Sequence, residues 1–316
     1  MPRVPVMADP MPPLFHELLG DGYEVLPWDL QPGSASLERA VGIITYSHPK
    51  VDGALLDRMP NLKVVSNHGV GVDHINVPDA EARKIPVGNT PGCLDAATAD
   101  LTMALILATA RNVVVGDRYA RSPEFTHYDP SILIGHEVSG TTLGIIGLGR
   151  IGRQVARRAL AFDMRVLYFN RTRNEDAEQD LNVTYAPFDD LLGQSDFIAL
   201  NCPLTRETTG LISGPQFALM KKSAILVNMA RGPVVDHAAL YDALKSGQIA
   251  GAGIDVTDPE PLPRDHPLLS LGNLVITPHL GSASDRTRRR MMEMTIENLN
   301  AGVTGQPLSW QVRSPK

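Results

Sequence analysis

Thr142-Leu143-Gly144-Ile145-Ile146-Gly147-Leu148-Gly149-Arg150-Ile151-Gly152-Arg153-Gln154-Val155-Ala156-Arg157-Arg158-Ala159 is the stretch whose reading decides the fold. Leu143 to Ile146 make a continuous apolar run of strand character that enters Gly147-x-Gly149-x-x-Gly152, and Val155, Ala156, Ala159 and Leu160 give the next segment a helical apolar face. In such a turn the first glycine bends the chain, the second lets backbone approach a pyrophosphate, and the third lets helix pack on strand. The N–H groups at the helix start then attract phosphate. Three glycines at this spacing also occur in turns that bind nothing. The strand before them and the next strand after the helix, Met164 to Phe169, favour a dinucleotide cradle.

Outward from the cradle the alternation of strand and helix is regular. Runs at 143–146, 166–169, 197–200, 224–228, 252–256 and 274–277 read as buried parallel strands, which need helices on both faces and so a doubly wound sheet. Residues 1–97 hold shorter units: Val4 to Met7, a helix near Pro13 to Leu19, Tyr23 to Leu26, Ala40 to Tyr46 and Leu62 to Ser66. Asp95 is placed as an N-cap for an apolar helix over Ala96 to Ala110, expected between two domains with a hinge on either side. A last helix, Ala283 to Gly305, is expected to return to the first domain. The fold expected is therefore two Rossmann-like α/β domains. One is a doubly wound parallel-sheet dinucleotide-binding domain (98–282); the other is a smaller, discontinuous, flavodoxin-like substrate domain (1–97 and 283–316).

With 316 residues the chain is long enough for two domains, and with only 5% aromatic residues their cores must be aliphatic. A net charge of −6 with acids and bases interspersed argues against nucleic acid or a membrane surface as partner. Arg288 to Arg290, the densest basic run, reads as a solvated or interface face. Cys93 and Cys202 form neither a disulfide framework nor zinc spacing, and no metal site is expected. The N-terminus shows no secretory pattern and no transmembrane run is present, so a cytoplasmic protein is expected.

With the cradle come Asn228-Met229-Ala230-Arg231-Gly232-Pro233-Val234-Val235-Asp236, Gly253 to Leu262, and Thr277-Pro278-His279-Leu280-Gly281-Ser282-Ala283. Together these blocks closely resemble the D-isomer-specific 2-hydroxyacid dehydrogenases over nearly the whole chain. Leu143 to Gly152, Gly253 to Leu262 and His266 to Leu269 are most similar to the glyoxylate/hydroxypyruvate reductase group. The resemblance implies a homodimer, an α/β cofactor domain and a substrate site in the cleft between domains.

Reducing a 2-oxo acid requires a hydride donor, an anion clamp and a proton source, because negative charge develops on the carbonyl oxygen as hydride reaches carbon. His279 follows a short strand-like run and Pro278, and is the candidate acid; Glu260, 19 residues earlier, is expected to accept a hydrogen bond from its other ring nitrogen. By resemblance these are the family's His and Glu. His16, His68, His127 and His237 read instead as satisfied loop histidines. Arg231, just past the apolar run Ala224 to Asn228, has the planar fork that matches a carboxylate, and is assigned to substrate in preference to a structural ion pair. The glycines around Val70 and Gly71 suit either a tight turn or backbone N–H groups offered to the same carboxylate, and resemblance favours the second. Tyr46 and Ser47 are expected to face the substrate's tail.

On the cofactor side Gly147, Gly149, Arg150, Ile151 and Gly152 are expected to meet the pyrophosphate. The resemblance adds Cys202 and Pro203 as an adenine-side wall, Thr208 as a phosphate-side hydroxyl, and Thr98 and Asp255 at the nicotinamide carboxamide, with Met229, His279 and Gly281 completing the set. Asp255 also suits a turn cap. An NAD enzyme places an acid about 20 residues past the glycines to bind the ribose hydroxyls. Here the strand ends Asn170-Arg171-Thr172-Arg173, without an acid, and Arg171 with Asn170 and Thr172 suits a 2′-phosphate. NADPH is therefore the expected cofactor, with NADH possible. Glyoxylate and hydroxypyruvate lead as substrates, ahead of a sugar acid such as 2-ketogluconate. Phosphoglycerate dehydrogenase is disfavoured because the chain stops at Lys316, and formate dehydrogenase because residue 260 is Glu rather than Gln. A nucleotide-responsive corepressor is the binding-protein alternative.

Overall fold

The apolar runs become parallel strands in a computed structural model that describes residues 3–314. Two compact units result, Met1–Leu94 with Ser284–Lys316, and Asp95–Ala283. The outermost residues of the expected first domain, 1–2 and 315–316, lie outside the described part. Met1–Leu94 supplies β1 (Val4–Ala8), α1 (Pro13–Leu19), β2 (Tyr23–Pro27), α2 (Ala35–Arg39), β3 (Gly42–Thr45), α3 (Gly53–Leu56), β4 (Val64–Asn67), α4 (Val77–Ala82) and β5 (Val87–Gly88). Asp95–Ala283 begins with α5 (Asp95–Ala110) and α6 (Val113–Ala120), then alternates β6 (Thr142–Ile146), α7 (Arg150–Leu160), β7 (Arg165–Phe169), α8 (Glu175–Leu181), β8 (Thr184–Tyr185), α9 (Phe188–Gln194) and β9 (Phe197–Leu200). It continues through α10 (Gly214–Leu219), β10 (Ile225–Asn228), α11 (His237–Lys245), β11 (Gly251–Ile254) and β12 (Leu274–Ile276). Finally α12 (Asp285–Val303) and β13 (Gln311–Val312) rejoin the first unit.

In the first unit the strands run β2-β1-β3-β4-β5-β13. The first five are parallel in the flavodoxin-like order 2-1-3-4-5, and β13 adds antiparallel to β5. One core lies under each face: Met7, Ile43, Val65 and Val87 with α2–α4 on one side, Val6, Ile44, Val64 and Phe15 with Met292 and Leu299 of α12 on the other. α12 lies so close to the sheet that a Cβ on Gly88 would stand 2.6 Å from the Asn298 side chain. The basic run on α12 makes surface ion pairs: Arg290 reaches Glu293 and Glu297 and lies over the Trp310 ring, 5.6 Å from its centroid.

The second unit has the order β12-β11-β10-β9-β6-β7-β8, all parallel, which is the Rossmann order extended by one strand. Alternate side chains pack on α5 and α7 (Leu143, Ile145, Phe197, Ala199, Val227) or on α9–α11 (Ile146, Ile198, Leu200, Leu226, Ile254). The boundary falls at Leu94/Asp95 and Ala283/Ser284 rather than at 97/98 and 282/283. Asp95 is itself the first residue of α5, not its cap: its carboxylate accepts a 2.8 Å hydrogen bond from Arg150 Nε, which ties the helix start to the second unit. An irregular arm after α6 holds Phe125, Tyr128, Ile132, Leu133 and Ile134 in solvent, with Tyr128 81% and Ile134 78% exposed. No single helix among the described residues is long and apolar enough to cross a membrane.

Candidate active site

Strand register assembles the site in the second unit. Phe169 pairs with Ile146, Ile146 with Leu200, Leu200 with Asn228, Asn228 with Ile254, and Ile254 with Ile276. These six residues end their strands as one row across the sheet. Gly147, Asn170, Cys202, Arg231, Asp255 and His279 all follow within three residues, so parallel pairing delivers them to the same carboxyl edge.

At one end of the row His279 Nδ1 stands 2.7 Å from Glu260 Oε1. His279 adopts φ 55°, a left-handed conformation uncommon for a residue with a side chain. Asp255 holds the turn around it: one carboxylate oxygen accepts from Thr277 Oγ1 (2.5 Å) and Leu280 N (2.7 Å), the other from Gly281 N (2.8 Å). The His279 amide donates to the Asp255 carbonyl at 2.9 Å. Burial pushes the Asp255 carboxyl above the usual range despite these hydrogen bonds and the nearby His279. A Cβ on Gly281 would meet Asp255 Oδ2 at 3.3 Å, Met229 Cε at 3.4 Å and Thr98 Cγ2 at 3.4 Å, so Thr98, Met229, Asp255 and Gly281 form one cluster. Asp255 thus caps the 277–281 turn and also stands in this cluster.

Arg231 leaves β10 ahead of a 3-10 turn, Gly232–Val234. Asn228 fixes the bend, with Nδ2 donating to the Arg231 carbonyl (2.9 Å) and Oδ1 accepting from Ala230 N (3.0 Å). One guanidinium nitrogen donates to the Ala230 carbonyl at 2.8 Å.

The cradle has the shape a pyrophosphate needs. Gly147 is left-handed (φ 100°), a Cβ there would stand 2.6 Å from Cys202 N, and a Cβ on Gly152 would strike the Gly147 carbonyl. Gly149 begins α7 without any side chain capping the helix, which leaves N–H groups at its start open to an anion. These residues fit a dinucleotide. Burial raises the Cys202 thiol to about 11, so it stays protonated near neutral pH and is a poor nucleophile. Among the expected phosphate ligands, Arg171 and Thr172 are exposed and Arg171 makes no ion pair among the described residues. Asn170 Oδ1 accepts from Leu148 N at 2.7 Å, so its oxygen braces the cradle. Thr208 Oγ1 donates to the Pro203 carbonyl at 2.7 Å and accepts from Thr205 N, so its hydroxyl serves its own loop. Arg173 is committed to Glu178, whose carboxyl it holds down at about 2.

In the first unit, Gly69, Val70 and Gly71 have their carbonyls bound by Thr90 N, Asn89 Nδ2 and Asn67 Nδ2. Because C=O and the following N–H point opposite ways across a trans peptide, the N–H groups of Val70 and Gly71 face away from those partners. Asp9, buried at the end of β1, accepts from the Tyr46 and Ser47 amides at 2.7 and 2.6 Å and fixes that turn. Asp9 and Asn67 were missed in the sequence; each is a polar residue ending an apolar strand, a signal available there. The loop-histidine reading needs correcting twice. His68 and His237 each bury one ring nitrogen, Nε2, with no hydrogen-bond partner among the described residues. No group of three or more His, Cys, Asp or Glu among these residues could hold a metal ion.

A family model described as the D-isomer specific 2-hydroxyacid dehydrogenase NAD-binding domain matches residues 103–281. The chain belongs to the D-isomer-specific 2-hydroxyacid dehydrogenases. A glyoxylate reductase of Korarchaeum cryptofilum is 50% identical over 257 residues, covering 81% of this chain and 77% of the relative. One from Pyrococcus horikoshii is 46% identical over 300 residues, covering 92% and 90%. Among solved structures, an NADPH-dependent glyoxylate/hydroxypyruvate reductase of Sinorhizobium meliloti in complex with NADP and malonate superimposes with a TM-score of 0.90 at 32% identity, over 98% of this chain and 97% of that one. This 2-hydroxyacid dehydrogenase is therefore an NAD(P)-dependent oxidoreductase built on two Rossmann-like units.

Proposed function

We propose that the enzyme reduces glyoxylate to glycolate and hydroxypyruvate to D-glycerate, using NADPH in preference to NADH. The observation that carries the reaction is the row of strand ends that gathers the cradle, Arg231, Asp255 and the His279–Glu260 pair on one sheet edge. The activity of the relatives supports the substrate.

When bound, the reduced cofactor would supply a hydride, with its electron pair, to the carbonyl carbon. The carbonyl π electrons move to oxygen, and His279 delivers the proton that completes the alcohol. Glu260, 2.7 Å from Nδ1, orients the ring and balances its charge while Nε2 faces substrate. Arg231 clamps the carboxylate and draws charge toward the carbonyl oxygen, and the Val70 and Gly71 N–H groups are assigned to carboxylate binding as well. Tyr46 and Ser47, fixed by Asp9, meet the substrate's tail. Thr98, Met229, Asp255 and Gly281 seat the nicotinamide end, Cys202 and Pro203 line the adenine end, and Arg171 with Thr172 accepts the 2′-phosphate. On this reading Asp95–Ala283 is the dinucleotide-binding domain and the other unit the substrate domain.

The enzyme self-associates as a homodimer through the arm that exposes Phe125, Tyr128 and Ile134; large apolar side chains this exposed within ten residues are unfavourable in water unless a second surface covers them. Light scattering reads its mass directly.

Oxidation of NADPH and NADH followed at 340 nm against glyoxylate, hydroxypyruvate and 2-ketogluconate tests the substrate and cofactor readings together. Greater kcat/KM for 2-ketogluconate would replace the substrate assignment. Equal efficiency with NADH would remove the cofactor preference.

A further inference from the structure

The segment 231–237 packs against the loop after β11 that carries Glu260. At the start of that loop, the 3-10 turn packs so tightly that a Cβ on Gly232 would run into the Thr257 carbonyl. At its centre, His237 Nδ1 lies 3.1 Å from the Asp258 carbonyl oxygen, two residues before Glu260. A carbonyl only accepts, so His237 carries its proton on Nδ1. Asp236 caps α11 through Ala238 and Ala239 N, which fixes the backbone from which His237 projects. The His266 ring closes the far side edge-on, with centroids 6.1 Å apart, and is itself fixed by a 3.3 Å bond from Leu268 N to its Nδ1.

This leaves His237 Nε2 buried with no partner among the described residues, an arrangement that costs desolvation energy. An apolar side chain would fill the same space without that cost. What histidine adds is the single donor to the Asp258 carbonyl. We propose that His237 is a positioning residue for proton delivery: by holding Asp258, it keeps the Glu260 carboxylate against His279 Nδ1. The inference rests on the proposed roles of His279 and Glu260. The segment from Arg231 to His237 then ties the carboxylate clamp and the acid's partner into one rigid piece.

The experiment is a mutant cycle with glyoxylate and NADPH, with NADPH affinity measured separately by fluorescence titration. His237→Leu keeps the bulk and removes the donor, His237→Asn keeps a donor where Nδ1 lies, and Glu260→Gln weakens the pair directly. His237→Leu is expected to lower kcat about tenfold with NADPH affinity unchanged, and His237→Asn to recover most of the loss. In the Glu260→Gln background, His237→Leu is expected to cost under about twofold more, because the two act through the same contact. Should His237→Leu fail to fold, His237→Ala, which opens space instead of filling it, carries the same comparison. Full multiplication of the losses, or an Asn variant as impaired as Leu, overturns the positioning role. Wild-type turnover by Glu260→Gln alone overturns the pair assignment itself, and the inference with it.

Discussion

His279 Nδ1 and Glu260 Oε1 are 2.7 Å apart although 19 residues separate them in the chain. The contact engages Nδ1, and on the proposed mechanism the ring delivers its proton from Nε2. His279→Ala is expected to lower kcat by roughly 10² to 10⁴-fold, the usual cost of losing a general acid, and to leave NADPH affinity nearly intact. Steady-state kinetics with a parallel fluorescence titration reads both. A variant with wild-type turnover would remove His279 from the chemistry.

Arg231 is mounted differently, on a backbone bend fixed by Asn228. The clamp role proposed for it would both bind and orient, so Arg231→Ala should raise KM for glyoxylate and lower kcat as well, by about 10²-fold or more in kcat/KM. Arg231→Lys should recover only part, because an ammonium lacks the fork. A change confined to KM would reduce the arginine to a simple binding contact.

Arg171, exposed at the end of β7, is the test of cofactor choice. Arg171→Ala should cost about 10- to 100-fold in kcat/KM for NADPH, the scale of one or two charge-assisted hydrogen bonds, while leaving NADH almost unaffected. Equal losses with both cofactors would place Arg171 elsewhere.

His68 predicts a pH dependence of stability. Burial, with Arg288 and His48 adding charge repulsion, lowers its imidazole from the ordinary 6.5 to about 3. The unfolded chain therefore takes up the proton first as pH falls. The stability His68 allows is fully present above about pH 6.5 and declines toward pH 3, by at most about 1.4 kcal/mol per pH unit. His68→Leu should flatten the fall of Tm between pH 7 and 4. A slope unchanged by the substitution would trace acid sensitivity to other groups.

Gly152→Ala should close the cradle, since the added methyl meets the Gly147 carbonyl. NADPH is expected to raise the Tm of the parent enzyme and to leave that of the variant unchanged.

Strands and the cradle were legible because an apolar run and a glycine pattern are local properties. Arg231, Asp255 and His279 were legible as residues just past such runs. Their convergence depends on register among β10, β11 and β12, which no single segment contains. The two-residue strands β5, β8 and β13 are too short to have a period and were not anticipated. Side-chain partners were less legible still. That Asn170 would brace Leu148 N, that Thr208 would be absorbed by its own loop, and that Asp9 would fix Tyr46 and Ser47 are settled by tertiary geometry.

The return of the chain through α12 and β13 has a consequence for synthesis. β5 lacks its outer neighbour, and Val6, Ile44 and Val64 lack Met292 and Leu299, until α12 and β13 have left the ribosome. At 5–20 residues per second, the N-terminal sheet waits roughly ten seconds or more while Asp95–Ala283 is made. Asp95–Ala283 can complete itself first, and the N-terminal sheet is the part most in need of protection from aggregation while the chain is being born.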